Sequence, residues 1–325
     1  MSQLYYTIAG HSLAVETSNA RATAALLPNF EPFRCHSPSH SYSEKFKPQV
    51  PGLFSFSGDV PLHIPRHARA DSFTWNGIRY EVYTTRGGHT VTMQLFNRTH
   101  TLFATHGWEY LCTDLSLVNQ EEAQFINNFL IVAFGMAAAP HKTVKMHASV
   151  IEKNGKALLF LGESGTGKST HSRLWKEFVP GCSLLNDDEP VVRLCDDDTV
   201  RVFGTPWSGK TPCYKNRSAE VVAFVHLYQH PHNRLTEQKG VQAFGSLLQS
   251  TSVMRSDASN KQLAIDTLSD ILQRVPVYRL NCRPDEKAVR LTEELLMDGI
   301  KRAHRTAPSV WISTPQSAQR VFSLA

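Results

Sequence analysis

Gly162-Glu163-Ser164-Gly165-Thr166-Gly167-Lys168-Ser169 sets glycine, lysine and hydroxyl at the spacing G-x-x-x-x-G-K-[ST]. Glycines let successive backbone N–H groups turn inward toward phosphate oxygens. A lysine at Lys168 adds a cation for the β- and γ-phosphates, and the Ser169 hydroxyl is placed for Mg²⁺. Ala157 to Leu161 reads as an apolar strand before the loop, and Thr170 to Phe178 as a helix after it. The helix start adds the positive end of its dipole. The chemistry this predicts is the cradling of a nucleoside triphosphate such as ATP with Mg²⁺. Gly162, Ser164, Gly165, Thr166, Gly167, Lys168, Ser169 and Thr170 would line the phosphates.

Three further groups stand at useful distances. Leu184-Leu185-Asn186-Asp187-Asp188-Glu189 is an apolar stretch ending in acids, where Mg²⁺-holding carboxylates sit in enzymes of this loop type. Two adjacent carboxylates can divide the work of orienting a metal and orienting or deprotonating an acceptor. Which of Asp187 and Asp188 does which stays open. Asn154-Gly155 between two strand-like runs is a hairpin signal. A two-residue turn there pairs Lys153 with Lys156, Ile151 with Leu158 and Ser149 with Phe160, and next His147 with Gly162. His147 is thus expected beside the phosphate loop. Gly204 to Lys215 reads either as a loop packed on Trp207 or as an active-site loop whose Lys210 is a second phosphate-neutralising cation.

These residues need elements to hold them. Residues 1–70 give little pattern, and Arg34 to Pro51 reads as a loop. Ile78, Tyr80 and Val82, then Val91, Met93 and Leu95, alternate with polar residues around Gly87-Gly88, as in a β-hairpin. Asn119 and Glu122 suggest a capping box for a helix whose apolar face is Ile126, Phe129, Leu130, Ala133, Phe134 and Ala137, ended by Pro140. Strands are expected at Val221 to Tyr228 and Val277 to Leu280. Helices are expected at Val241 to Leu248, Gln262 to Leu272 and Pro284 to Met297. Asp196 to Asp198 reads as a solvated hairpin turn.

Length and composition bound the rest. A chain of 325 residues is about two domains. A net charge of +5 without a basic block argues against nucleic acid. Six cysteines without a C-x-x-C pair argue for a reducing compartment. The most apolar window, Phe125 to Ala139, falls short of the roughly 20 residues that span a bilayer. The expectation is a cytoplasmic protein with no membrane partner, and a homo-oligomer is compatible with the chain.

In this order, Met146-His147, the Asn-Gly hairpin, the phosphate loop and Asn186-Asp187-Asp188-Glu189 resemble the nucleotide-binding core of HPr kinase/phosphorylase, and are similar to ATP-dependent phosphoenolpyruvate carboxykinase. The resemblance covers about residues 140–215. It implies an α/β fold with a phosphoenolpyruvate-carboxykinase-like P-loop core in a mixed sheet, joined to a β-rich N-terminal part. It implies Lys168 on phosphate, Ser169 and Asp188 on Mg²⁺, Asp187 as catalytic base or second metal contact, and His147 assisting. The expected division is a β-rich region 1–118, a nucleotide-binding domain 119–305 and a tail 306–325. The glycine-rich signature that follows the paired aspartate in true HPr kinases is absent. The implied activity is an ATP- and Mg²⁺-dependent phosphotransfer to a hydroxyl on an unidentified acceptor. The alternatives are a nucleotide-binding regulatory module and a carboxykinase-like reaction.

Overall fold

The computed structural model describes residues 2–36, 52–66, 69–75, 77–254 and 256–306. Most of the loop expected over Arg34 to Pro51, and the tail beyond 306, lie outside them. The fold is mixed α/β with two large mixed sheets.

Period-two patterning builds the first sheet. Its strands are β1 (Ser2–Ile8), β2 (His11–Thr17), β3 (Arg34–Cys35), β4 (Phe54–Ser57), β5 (Asp71–Trp75), β6 (Ile78–Thr85), β7 (Gly88–Leu95), β8 (Arg98–Ala104) and β9 (Tyr110–Thr113). They lie in the order β3-β1-β2-β4-β9-β8-β7-β6-β5. The expected hairpin is β6–β7, with Tyr80 facing Met93 and Val82 facing Val91.

Two helices accompany this sheet, α1 (Ala20–Leu26) and α2 (Ala123–Ala137). The whole expected stripe of α2, from Ile126 to Ala137, is buried in one core with Phe30, Phe54, Tyr80 and Trp108. The capping box does not form as expected. Asn119 accepts from the Glu121 N–H at the head of a short 3₁₀ turn. Glu122 turns back to accept from the Leu117 N–H and the Ser116 hydroxyl.

The second sheet contains β10 (Thr143–Lys145), β11 (Ala148–Lys153), β12 (Lys156–Leu161), β13 (Ser183–Asp188), β14 (Val191–Leu194), β15 (Val200–Phe203), β16 (Ser218–Gln229), β17 (Arg234–Gln238) and β18 (Val277–Cys282). Helices α3 (Lys168–Phe178), α4 (Gly240–Gln249) and α5 (Ala258–Leu272) lie between strands, and α6 (Glu286–Thr306) follows β18. Strands β12, β16 and β18 are parallel neighbours. Strand β11 runs against both β12 and β13, so β13 has the same direction as β12. The carboxyl ends of β12, β13, β16 and β18 therefore share one edge, where open α/β sheets bind ligands. Helices α4 and α5 bury Leu247 and Leu268 on one face of the sheet, and α3 and α6 bury Trp175 and Val289 on the other.

The two halves are tied by aromatic packing. Trp207, on the loop after β15, meets Phe30 edge-on at 5.7 Å and Phe134 at 5.5 Å. Asn29 donates to the Pro206 carbonyl at 2.8 Å. The Asn260 amide donates to the Met136 carbonyl, fixing α5 to the end of α2. Among the described residues no helix is long and apolar enough to cross a membrane, and all six cysteines are free thiols.

Candidate functional site

The Asn154-Gly155 turn adopts positive φ at both residues, and β11–β12 pair in the expected register down to Ser149 opposite Phe160. The pairing stops there. His147 and Gly162 are not strand partners: β11 begins at Ala148, and the His147 N–H is taken by the Ser250 carbonyl at 2.7 Å. The histidine reaches the loop by its side chain instead.

After β12 the chain turns through Gly162, Gly165 and Gly167, all at positive φ. A Cβ on Gly162 would lie 2.7 Å from the Thr166 hydroxyl, so the turn needs glycine. Thr166 bonds back to the Glu163 carbonyl through both its N–H and its hydroxyl. Ser164 and Gly165 form the exposed crest, and the Gly165 carbonyl accepts from the Gln229 side chain at 3.1 Å. Lys168 and Ser169 open α3, with half-buried Thr170 next in the first turn. The helix thus aims its positive end into the loop.

Lys168 is the hub of the site. Its ammonium donates to the carbonyls of Gly162 (2.8 Å) and Glu163 (3.1 Å) and to His147 Nε2 (2.9 Å). An ammonium has only donors, so Nε2 accepts and the ring proton sits on Nδ1. That nitrogen lies 3.0 Å from Asp188 Oδ1. The result is one chain: carboxylate, imidazole, ammonium, loop carbonyls. Burial lowers the Lys168 pKa, against the opposing pull of Asp188 and Asp187. The His147 hydrogen bond holds the Asp188 carboxyl below the usual aspartate value.

The two acids point different ways. The Ser169 hydroxyl donates to Asp187 Oδ1 at 3.1 Å, not to Asp188. Asp187 is buried at the end of β13, and Asp188 follows at φ 104°, a left-handed backbone that costs strain in a non-glycine residue. That turn of the chain sends the second carboxylate to His147. The Ser169 hydroxyl thus meets Asp187, and Asp188 meets His147.

Three supports had no reading from sequence. Asn186 is fully buried and its amide donates to Thr205 Oγ1 (3.2 Å) and the Trp207 carbonyl (2.9 Å), while its Oδ1 accepts from the Glu189 N–H. It staples the loop after β15 onto the acid pair. The signal was available as a polar amide inside a run destined for a buried strand. On the same loop the Gly209 N–H bonds to the Asp187 carbonyl at 2.7 Å. Lys210 follows it and is exposed, outside the hydrogen-bonded network. Trp207 packs as the loop's anchor. Finally, Lys145 and Glu189 form a buried ion pair behind Asp188, with the Lys145 ammonium 5.0 Å from the Trp75 ring centroid. Burial pushes the Glu189 carboxyl up in pKa, against the pull of Lys145.

The oxygen set fits Mg²⁺, which takes hydroxyl and carboxylate oxygens. The Ser169 hydroxyl and the Asp187 carboxylate already meet, and the Asp188 carboxylate is next in the chain. His147, Asp188 and Glu189 also bring ligand atoms within 4.8 Å of one another. Glu189 is committed to Lys145 in that arrangement.

No family model matches the chain, and no curated protein matches it. Among solved structures it has a weak likeness to the HPr(Ser) kinase/phosphatase from Coxiella burnetii. The alignment has 13% identity and a TM-score of 0.29, and it covers 49% of this chain and 98% of that one.

Proposed function

We propose that the protein is an ATP- and Mg²⁺-dependent phosphotransferase with a phosphoenolpyruvate-carboxykinase-like P-loop core, moving the γ-phosphate to a hydroxyl acceptor. The observation that carries this reading is the continuous chain from Asp188 through His147 and Lys168 to the loop carbonyls, beside Ser169 on Asp187. A binder of nucleotide alone needs the loop and one metal acid; here a second, separately held carboxylate faces the other side.

In this reading the Lys168 ammonium exchanges a loop carbonyl for phosphate oxygens as the triphosphate enters. Ser169 and Asp187 would hold Mg²⁺, which would supply positive charge to the phosphates. Asp188, ionised at neutral pH, accepts the hydrogen bond of the acceptor hydroxyl and aims its oxygen. His147 fixes that carboxylate through Nδ1–H. Lys210 stands outside this network as an exposed cation at the loop's edge.

Two variants test the division of labour. Asp188→Asn should lower ATP turnover by about 10²–10⁴-fold with ATP affinity little changed. Asp187→Asn should raise the Mg²⁺ concentration needed for half-maximal turnover. Calorimetry for ATP binding and coupled ADP release supply both readouts. Wild-type turnover in both variants, with ATP still bound, would overturn the proposal.

A further inference from the structure

A cavity of about 690 Å³ lies between α4 and the β16–β18–β17 part of the sheet. It comes near the site along the chain at two points. Tyr228 lines it, and the next residue, Gln229, donates to the Gly165 carbonyl. Gln249 lines its other end, and the next residue, Ser250, accepts the His147 N–H. The register agrees, since His226 stands level with Leu161, the residue before Gly162. One end of the cavity therefore lies one residue from the carbonyl that holds the His147 N–H.

Its wall carries two arginines against one acid. Arg234 and Arg279 both line it, and neither has a carboxylate within ion-pair distance among the described residues. Glu237 is the one acid on the wall. The Arg279 guanidinium is set over the Tyr228 ring at 4.0 Å and donates through Nε to Asn281. Tyr228 is the only aromatic ring on the wall, and it already holds both Arg279 and the stacked His226. A purine would find its usual stacking partner taken. On α4, Gly245 sits where a Cβ would meet nothing within 4 Å, so this helix position keeps space open in the wall. Glycine inside a helix costs roughly 0.5–1 kcal/mol against alanine.

We propose that this cavity holds the phosphate acceptor, and that the acceptor is a small hydroxyl compound carrying a carboxylate or phosphate group bound by Arg279 and Arg234. The inference rests on the phosphotransferase reading. Its hydroxyl oxygen would form the new bond to the γ-phosphorus, the bond from that phosphorus to the β,γ-bridging oxygen would break, ADP would leave, and the hydroxyl proton would be released.

The test measures ADP formation by the full chain with MgATP and one of four probes: glycerate, L-serine, glycerol 3-phosphate, and uncharged glycerol. At least one anionic probe should raise the rate tenfold or more over glycerol, with the phosphorylated probe visible by ³¹P NMR. Arg279→Ala and Gly245→Leu, the second filling the cavity from a position open to a side chain, should each abolish that increment and leave the MgATP dissociation constant within about twofold. If ATP is bound and hydrolysed but every anionic probe behaves like glycerol, this inference falls and the phosphotransferase reading stands. If Arg279→Ala or Gly245→Leu weakens MgATP more than tenfold, the cavity belongs to the nucleotide and the inference falls. If the wild type binds no ATP, the phosphotransferase reading fails first.

Discussion

The two sheets have equal strand numbers and use them differently. In each, among the described residues, six of the eight strand pairings are antiparallel and two are parallel, and on the strands of the first the buried polar groups are mostly threonines. Thr17 meets Thr23, Thr23 donates to the Leu117 carbonyl, and Thr113 donates to the Thr101 carbonyl. In the second, β12, β16 and β18 bring their carboxyl ends to one edge, and the buried polar groups there include Lys168, Asn186, Asp187 and Glu189. Both sheets hold a run of three parallel strands, β2–β4–β9 and β12–β16–β18, and at the carboxyl edge of the second the Gly162 to Ser169 loop meets the acid pair.

If the first sheet is scaffold and the second machinery, their variants should separate. Phe129→Ala, inside the first core, should cost about 3–5 kcal/mol of stability by urea denaturation while MgATP affinity in the folded fraction holds. A matching loss of affinity would break the distinction. Acid titration samples both halves. Burial lowers the pKa of His11, on β2, to about 3 and that of His171, on α3, to about 4, against 6.5 when free. The folded rings stay neutral while the unfolded chain takes up protons. Stability should thus be whole above pH 6.5 and fall by about 3 kcal/mol per ring by pH 4. His171→Phe should flatten its share of that slope in pH-dependent denaturation midpoints. Asn186→Ala should have the smallest effect, about 2 kcal/mol in stability from unpaired buried partners. It should also lower ATP turnover, because Thr205, Trp207 and Glu189 lose their common partner. An unchanged turnover would detach the Gly204 to Lys215 loop from the chemistry.

Local signals carried most of what could be read in advance. Asn154-Gly155 is a turn sequence with its own mechanism, and the register followed from it to Ser149. The loop glycines and the helix behind them were legible for the same reason. The β1–β2 hairpin was not, because its turn is Ala9-Gly10 and alanine at φ 52° carries no turn signal. Strand β17, Arg-Leu-Thr-Glu-Gln, pairs only with β18 at the sheet edge and shows little apolar alternation. Glu122 has the spacing of a capping box but found a nearer N–H at Leu117. The split of Asp187 from Asp188 depends on one backbone angle, and the role of Asn186 on partners nineteen and twenty-one residues away. Neither is written in spacing.

The engagement of Lys168 with Gly162, Glu163 and His147 ties the loop to its own cation. In the proposed reading, entry of an anion is a substitution reaction, in which the newcomer must offer the ammonium at least as much as it gives up. A triphosphate brings several anionic oxygens to that exchange; a nucleoside brings none. Discrimination by charge can begin with the lysine's release, ahead of any contact to base or sugar.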